Sequence, residues 1–364
     1  MRVEKSAICS NSALVYRPCD LSVMQNPPFV ITNGDHQTCG PPMKISQLRN
    51  LTVVIEAGTV RQAAKHLNLS QSSVTKSIHQ LEETLGVELL RRSSHGVMPT
   101  EAGRALVARA KVIDAELRHA RNDIDAIRGA NFGEIRVSAS PTVAMSLLPR
   151  AIVAFQHARP RVSFRIEEGV YPDVLPSVRT GDLDFAICLV PDQPRDDTLS
   201  FETLLEDRVV PAVRADHPMI SARRLESADL LKLDWVVYRR GRTGLDVVEQ
   251  TFRVFGLEPP KSTIQCTSFA CALALVEGGD YVTLVPSQFF AGPRRSLAIA
   301  PLLLDFQLPS WNVAVISRAE HELSAVCRAF LAELHRTAAK IRLPRSSARP
   351  SGRTRRGARN TLDR

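Results

Sequence analysis

Aromatic residues make up only 5% of the 364-residue chain, and its seven cysteines include no C-x-x-C pair. With 364 residues, 44% of them hydrophobic, the chain is too large and apolar for a disulfide-stapled mini-protein, and an odd cysteine count fits reduced thiols with structural or incidental roles. No run approaches the roughly 18 uninterrupted apolar residues of a membrane helix, and residues 1–42 lack the apolar core of a secretory signal. The sequence therefore predicts a cytoplasmic protein with no membrane partner. G-x-S-x-G, H-E-x-x-H, P-loop and G-x-G-x-x-G motifs are missing, so an enzyme could only be one without a recognised motif; no metal or cofactor is expected.

An acidic surplus is also missing. Lysine and arginine outnumber aspartate and glutamate by 47 to 38, a formal charge of +9, which points to a polyanionic partner. Most of the surplus, about +7, falls in residues 341–364, a basic tail with too few large apolar residues to fold. Residues 1–42 balance at about zero and show no period, which predicts a disordered extension; Met43-Lys44-Ile45 reads as a natural translation start. Residues 43–103 carry about +2, 104–130 about +2, and 131–340 about −2.

What is present begins at Ile45. Leu48, Leu51 and Ile55 recur at helical spacing until Gly58. Thr59 is placed to cap a second helix, with Gln62 completing a capping box and Ala63, Ala64 and Leu67 forming its packing face. After Asn68-Leu69, Ser70 caps a third helix whose buried side is Val74, Ile78, Leu81 and Leu85, ended by Gly86. Its other side carries Gln71, Ser72, Ser73, Thr75, Lys76 and His79, with no acid before Glu82. A short helix with Gln, Ser, Thr and Lys near its N-terminus suits the DNA major groove, where Gln pairs with adenine and Lys meets guanine or phosphate. A solvated face of a three-helix bundle is the alternative reading.

Leu89 to Val97 forms a basic turn-containing segment shaped like a two-stranded wing on a phosphate backbone; Arg91 and Arg92 could equally be surface charge. Beyond Pro99-Thr100, the residues Leu106, Ala110, Ile113, Leu117, Ala120, Ile124 and Ile127 form a coiled-coil seam, which predicts a dimer. Packing of this stripe on its own domain is the alternative. From Gly133 the pattern becomes alternating strands and helices: strands at 134–138, 163–168 and 183–189 with helices at 143–157 and 172–180, then strands at 234–238, 262–266 and 281–285 with helices at 245–255 and 269–277. A strand at 311–317 and a helix at 324–337 close the series.

Residues 43–103 resemble the LysR-type transcriptional regulators through Ala63-Ala64, Leu69-Ser70-Gln71-Ser72, Leu81-Glu82, Leu85-Gly86, Leu89-Leu90-Arg91-Arg92 and Thr100-Glu101-Ala102-Gly103. The segments Gly181-Asp182-Leu183-Asp184-Phe185-Ala186-Ile187 and Asp216-His217-Pro218 extend the likeness to about residue 338. Lys76, Leu90 and His95 depart from the residues most frequent in the family. The resemblance implies a multidomain chain: an all-α winged helix-turn-helix with a long dimerising linker helix, then a two-lobed α/β periplasmic-binding-protein-like effector domain. Lobe one is expected at 133–208 plus 313–338, and lobe two at 213–308.

The implied partners are double-stranded promoter DNA, a small-molecule effector and the chain itself as homodimer or homotetramer, with RNA polymerase a further candidate. The DNA-binding set is Arg61, Gln71, Ser72, Ser73, Thr75, Lys76 and Arg92. A ligand between the lobes should meet helix N-termini, where backbone N–H groups and hydroxyls receive an anion. This makes Ser140, Pro141, Thr142, Thr267, Ser268 and Phe269 the effector-binding set, although helix capping alone would use the same hydroxyls. Arg239, Arg240 and Arg242 could neutralise a carboxylate or lie as exposed loop charges. The expected effector is an organic anion; an architectural DNA-binding dimer without a ligand is the alternative.

Overall fold

The computed structural model describes residues 42–341 apart from 94–95, 128–131, 192–193, 195, 222–224, 239–246, 255, 257, 261, 291–297, 307, 309 and 320. The N-terminal extension, the basic tail and the Arg239–Arg240–Arg242 loop lie outside the described residues. The first three helices are α1 (Ile45–Ala57), α2 (Val60–Leu67) and α3 (Gln71–Leu85). Gly58, Asn68 and Gly86 end them in the left-handed conformation that releases the last carbonyls. Thr59 Oγ1 accepts the Gln62 N–H at 3.2 Å, and Ser70 Oγ the Ser73 N–H at 3.1 Å, so both expected caps form. The Gln62 side chain takes the Thr59 hydroxyl at 3.2 Å, where a capping box would have it accept the backbone N–H.

Leu48, Leu51, Ile78 and Leu81 pack with Leu89 in one cluster, and Val54, Ala63, Ala64 and Val74 in a second. Leu85, expected on the buried side, is exposed, because the final turn of α3 runs past this packing. Strands β1 (Leu90–Ser93) and β2 (Gly96–Pro99) pair antiparallel as the wing. Its root is fixed twice: the Glu82 carboxylate accepts the Leu89 N–H at 2.9 Å, and Val97 N–H bonds Gly58 O at 2.8 Å. Gly103 allows the next helix to press on this root, since a Cβ there would lie 2.1 Å from the Leu89 carbonyl oxygen.

That helix, α4 (Glu101–Ile127), runs 27 residues. The expected seam divides along it. Leu106 and Ala110 pack into the cluster of Leu48, Leu51, Ile78 and Leu81, because α4 crosses α1 before leaving the bundle. They are core residues of their own domain, a correction to the seam as read from the heptads. Ile113, Leu117, Ala120, Ile124 and Ile127 remain exposed in the single chain.

Beyond α4 the chain follows β3 (Phe132–Ala139), α5 (Pro141–Met145), α6 (Leu147–Ala158), β4 (Arg161–Glu168), α7 (Leu175–Thr180), β5 (Phe185–Val190) and β6 (Leu199–Arg214). It continues with β7 (Asp234–Tyr238), α8 (Val247–Val254), β8 (Ser262–Cys266), α9 (Phe269–Gly278), β9 (Tyr281–Pro286), β10 (Ile299–Pro301), β11 (Ser310–Arg318) and α10 (Ala325–Ala339). Among the described residues the strands join in one path, β4-β3-β5-β11-β6-β9-β7-β8, with β10 beside β6. Strands β3, β4 and β5 pair parallel, as do β7, β8 and β9, which gives each half its own βαβ layer.

The halves meet on β6, a 16-residue strand missed in the sequence because Glu202, Glu206, Asp207 and Pro211 interrupt its apolar pattern. Leu199 to Arg208 pair with β11 in the first lobe, and Val209 to Ala212 pair with β9 in the second. Phe155, Phe185, Phe330 and Leu147 fill the first core; Trp235, Phe252, Val237 and Val282 fill the second. Trp235 is fully buried, with its indole N–H on Leu230 O at 2.8 Å, so the ring adds apolar burial with its polar atom satisfied. The single helix expected at 143–157 is two, broken at Ser146. Helix α7 starts at Leu175, three residues later than the period suggested. No helix among the described residues is long and apolar enough to cross a membrane.

Candidate nucleic-acid interface and ligand cleft

The outward face of α3 follows from its inward one. With Val74, Ile78 and Leu81 buried, the 3.6-residue period turns Gln71, Ser72, Ser73, Lys76 and His79 to solvent, and all five are exposed. Ser72 and Ser73 hydroxyls lie 3.0 and 2.7 Å from Ser70 Oγ, which preorders them beside the helix N-terminus. Thr75 is half-buried and lines the groove between α3 and the wing with Val60, His79, Leu90, Arg91 and Val97. Glu82, the first acid on α3, is turned to the wing's backbone N–H groups and lies 3.4 Å from His79, so it does not break the donor row. Arg61 is exposed on α2, and Arg92 lies on β1 in register with Val97. Five of the seven expected DNA-binding residues, Gln71 to Lys76, thus share one helix, with Arg61 and the wing residue Arg92 on neighbouring elements.

The two expected effector loops differ. Ser140 stands at the N-cap position of α5 without a side-chain cap bond and Pro141 takes the first position; Ser140 and Thr142 are 5% and 7% exposed, and among the described residues neither hydroxyl has a hydrogen-bond partner. A buried hydroxyl without a partner has a free-energy cost that a ligand oxygen would remove. In the second lobe Thr267 and Ser268 are exposed, and Ser268 Oγ caps α9 by accepting the Cys271 N–H at 3.3 Å. Phe269 is buried against Leu273, Val276, Val285 and Phe289, its ring edge-on to Tyr238 at 5.5 Å. Met145 of α5 packs on this same cluster, so the C-terminal end of this short first-lobe helix touches the second lobe.

A polar node missed in the sequence ties the lobes beside these loops. At the helix break, which Pro149 imposes because it has no N–H for the Met145 carbonyl, the Ser146 hydroxyl is shared between Thr142 O at 2.5 Å and Gln288 Oε1 at 3.1 Å. Gln288 follows β9 and is 2% exposed, with its side chain beside the Asp207 carboxyl. Asp207 of β6 accepts the Ser287 hydroxyl at 2.5 Å, the Gln288 N–H at 3.3 Å and the Arg208 N–H at 2.7 Å. Burial pushes the Asp207 carboxyl up despite these donors. The one local signal was the polar pair Ser287-Gln288 directly after an apolar strand. No group of three or more His, Cys, Asp or Glu side chains suited to a metal occurs among the described residues.

The inward face of α4 is fastened to the first lobe. Asp184, with a fully buried side chain, accepts Arg118 Nη1 at 2.6 Å, His119 Nε2 at 2.7 Å and the Arg136 N–H at 2.8 Å. Burial alone would raise the Asp184 pKa, but the His119 hydrogen bond and the Arg118 charge outweigh it and hold the carboxyl below its ordinary value. Gly181 lets α4 approach, since a Cβ there would lie 2.4 Å from that of Ala115. Lys111 bridges Asp182 at 2.8 Å and Glu56 of α1 at 2.9 Å, and Arg318 pairs with Glu116 at 2.7 Å.

A family model described as "LysR substrate binding domain" matches residues 128–339, and one described as "Bacterial regulatory helix-turn-helix protein, lysR family" matches residues 45–104. The chain is 26% identical over 312 residues to the HTH-type transcriptional regulator GbpR of Azospirillum brasilense, covering 85% of this chain and 90% of that one. The crystal structure of CbnR, a LysR family transcriptional regulator, superposes with a TM-score of 0.61 at 25% identity, covering 81% of this chain and 99% of that one. The structure of full-length CbnR complexed with its target DNA has the same fold, with a TM-score of 0.60 at 24% identity over 81% of this chain and 100% of that one.

Proposed function

The chain belongs to the LysR family of transcriptional regulators, and on that premise we propose how its residues divide the work. Gln71, Ser72, Ser73, Thr75 and Lys76 read promoter DNA from the major groove, while Arg61 and Arg92 meet phosphates beside it. An organic anion binds between the lobes at Ser140, Pro141 and Thr142 and at Thr267, Ser268 and Phe269. The observation that carries the cleft reading is the pair of buried, unpartnered hydroxyls of Ser140 and Thr142 at the edge where α5 meets the second lobe.

Effector binding shifts the lobes about β6 and β11, and α4 transmits the shift through the Asp184 cluster to the DNA-binding helices. The exposed stripe Ile113, Leu117, Ala120, Ile124 and Ile127 pairs with a second copy, which presents two α3 helices to a two-fold site; dimers of such dimers make a tetramer. RNA polymerase is the enzyme whose access to the promoter the bound assembly alters. Footprinting on the DNA adjoining its own gene, with and without small organic acids, tests this reading. Protection centred on a two-fold site and altered by an acid is expected; protection unchanged by every acid favours an architectural role. Gln71→Ala should weaken specific binding by about 1–3 kcal/mol with little change on unrelated DNA.

A further inference from the structure

Cys266 ends β8 and Cys271 lies in the first turn of α9, so two thiols bracket the loop that carries Thr267 and Ser268. Both converge on Ser268. The Cys266 thiol donates to the Ser268 carbonyl with 3.4 Å between sulfur and oxygen, and the Cys271 N–H donates to Ser268 Oγ at 3.3 Å. Cys271 is exposed and Cys266 half-buried, whereas Cys188 and Cys327 are buried in the first lobe. Burial pushes the Cys188 thiol up to about 12, which keeps it protonated and inert. At the other pair burial raises the Cys266 thiol and the adjoining Cys271 raises it further, as expected for two thiols in contact.

We propose that Cys266 and Cys271 form a reversible disulfide that switches the second-lobe half of the effector cleft. The switch rests on the reading of Thr267 and Ser268 as effector contacts; the disulfide itself does not. The oxidant is a hydroperoxide. The Cys271 sulfur, as thiolate, attacks the outer peroxide oxygen; the O–O bond breaks, an alcohol or water leaves with a proton, and Cys271 becomes a sulfenic acid. The Cys266 sulfur then attacks the sulfenic sulfur, the S–O bond breaks, water leaves and the S–S bond forms. Overall two thiols lose two hydrogens and the hydroperoxide is reduced to an alcohol and water. Two molecules of a small thiol reverse the step by exchange and are themselves joined as a disulfide.

The bond would draw the Cys266 sulfur away from the Ser268 carbonyl and towards the first turn of α9. Ser268 loses that contact while its own hydroxyl stays tied to Cys271, so the loop's donors are re-aimed together. Hydroperoxide is thereby converted into a change of effector affinity without a third residue.

Trypsin places both cysteines, and no other, on the peptide Ser262–Arg294. The full chain is reduced, exposed to hydrogen peroxide, alkylated under denaturing conditions and digested. The expected peptide carries no alkyl group, is lighter than the reduced peptide by two hydrogens, and regains both alkylation sites after treatment with dithiothreitol. Alkylation of both cysteines, a sulfinic Cys271 beside an alkylated Cys266, or pairing of either with Cys9, Cys19 or Cys39 would overturn the proposal. Cys271→Ser should leave Cys266 alkylated after peroxide; its loss into another disulfide also overturns the pairing. Calorimetry of small organic acids against reduced and oxidised protein reads the switch, with about tenfold weaker binding expected after oxidation. Equal binding to both forms overturns the switch, whereas a disulfide in a protein that binds no acid in either form overturns the cleft reading.

Discussion

Each lobe places hydroxyls ahead of a helix, yet the first lobe buries Ser140 and Thr142 without partners while the second exposes Thr267 and uses Ser268 as a cap. The first lobe is also the one fastened to α4 through Asp184, Lys111 and Arg318. One loop is therefore on the anchored lobe and holds an unmet demand for hydrogen bonds; the other is satisfied by itself and open to solvent. The contrast teaches that a hydroxyl before a helix carries two different meanings, decided by burial. In the first lobe it stores a cost that a ligand oxygen would relieve, and in the second it stabilises the helix it precedes.

Removing the anchor should have the largest effect. Asp184→Ala leaves Arg118 and His119 without their shared acceptor, and a broken buried pair costs about 3–5 kcal/mol in urea denaturation. Its pH dependence has a definite sign. Because the folded pKa of Asp184 is lowered, its contribution is complete above the unfolded value of about 3.9 and is lost as pH falls through the folded value. The gap between wild type and Asp184→Ala should therefore be constant near neutrality and close in stronger acid. Asp207 has the opposite sign: its raised pKa means stability that declines as pH rises from the unfolded towards the folded value.

The two loops themselves should respond in opposite directions. Ser268→Ala removes a cap and should lower stability by about 1 kcal/mol. Thr142→Val removes a buried unpartnered hydroxyl at nearly constant shape and should raise the stability of the ligand-free protein by about 1 kcal/mol. Denaturation midpoints measured side by side would decide this; destabilisation by both would erase the distinction between the lobes. Lys111→Ala should have the smallest effect, below about 1 kcal/mol, because its partners Glu56 and Asp182 are substantially exposed.

Local period made α1, α2, α3 and most strands legible, since Leu48, Leu51, Val74, Ile78 and Leu81 declare a buried face by spacing alone. Spacing cannot say which neighbour covers that face. Leu106 and Ala110 continue the heptads of Ile113 and Leu117, but they meet α1 where the others meet solvent. The break at Ser146 follows from Pro149, which has no N–H for the Met145 carbonyl four residues back and whose ring crowds it; what the sequence does not announce is the partner of the Ser146 hydroxyl, Gln288, 142 residues away. The Asp184 cluster joins residues 65 and 66 positions apart, and β6 hides its strand beneath charges that serve the crossover. For the DNA-reading face, the burial of one side of α3 already dictated the exposure of the other. For the cleft, the loops were visible, while the difference in burial between them required the fold.

If the buried hydroxyls of the first lobe bind an anion, their removal must weaken that binding. Calorimetry of small organic acids and neutral sugars against reduced wild type and Thr142→Val tests it most directly. An acid should bind the wild type and bind the variant about tenfold more weakly, a loss near 1.4 kcal/mol. Tight binding of a neutral sugar, unchanged by Thr142→Val, would contradict it.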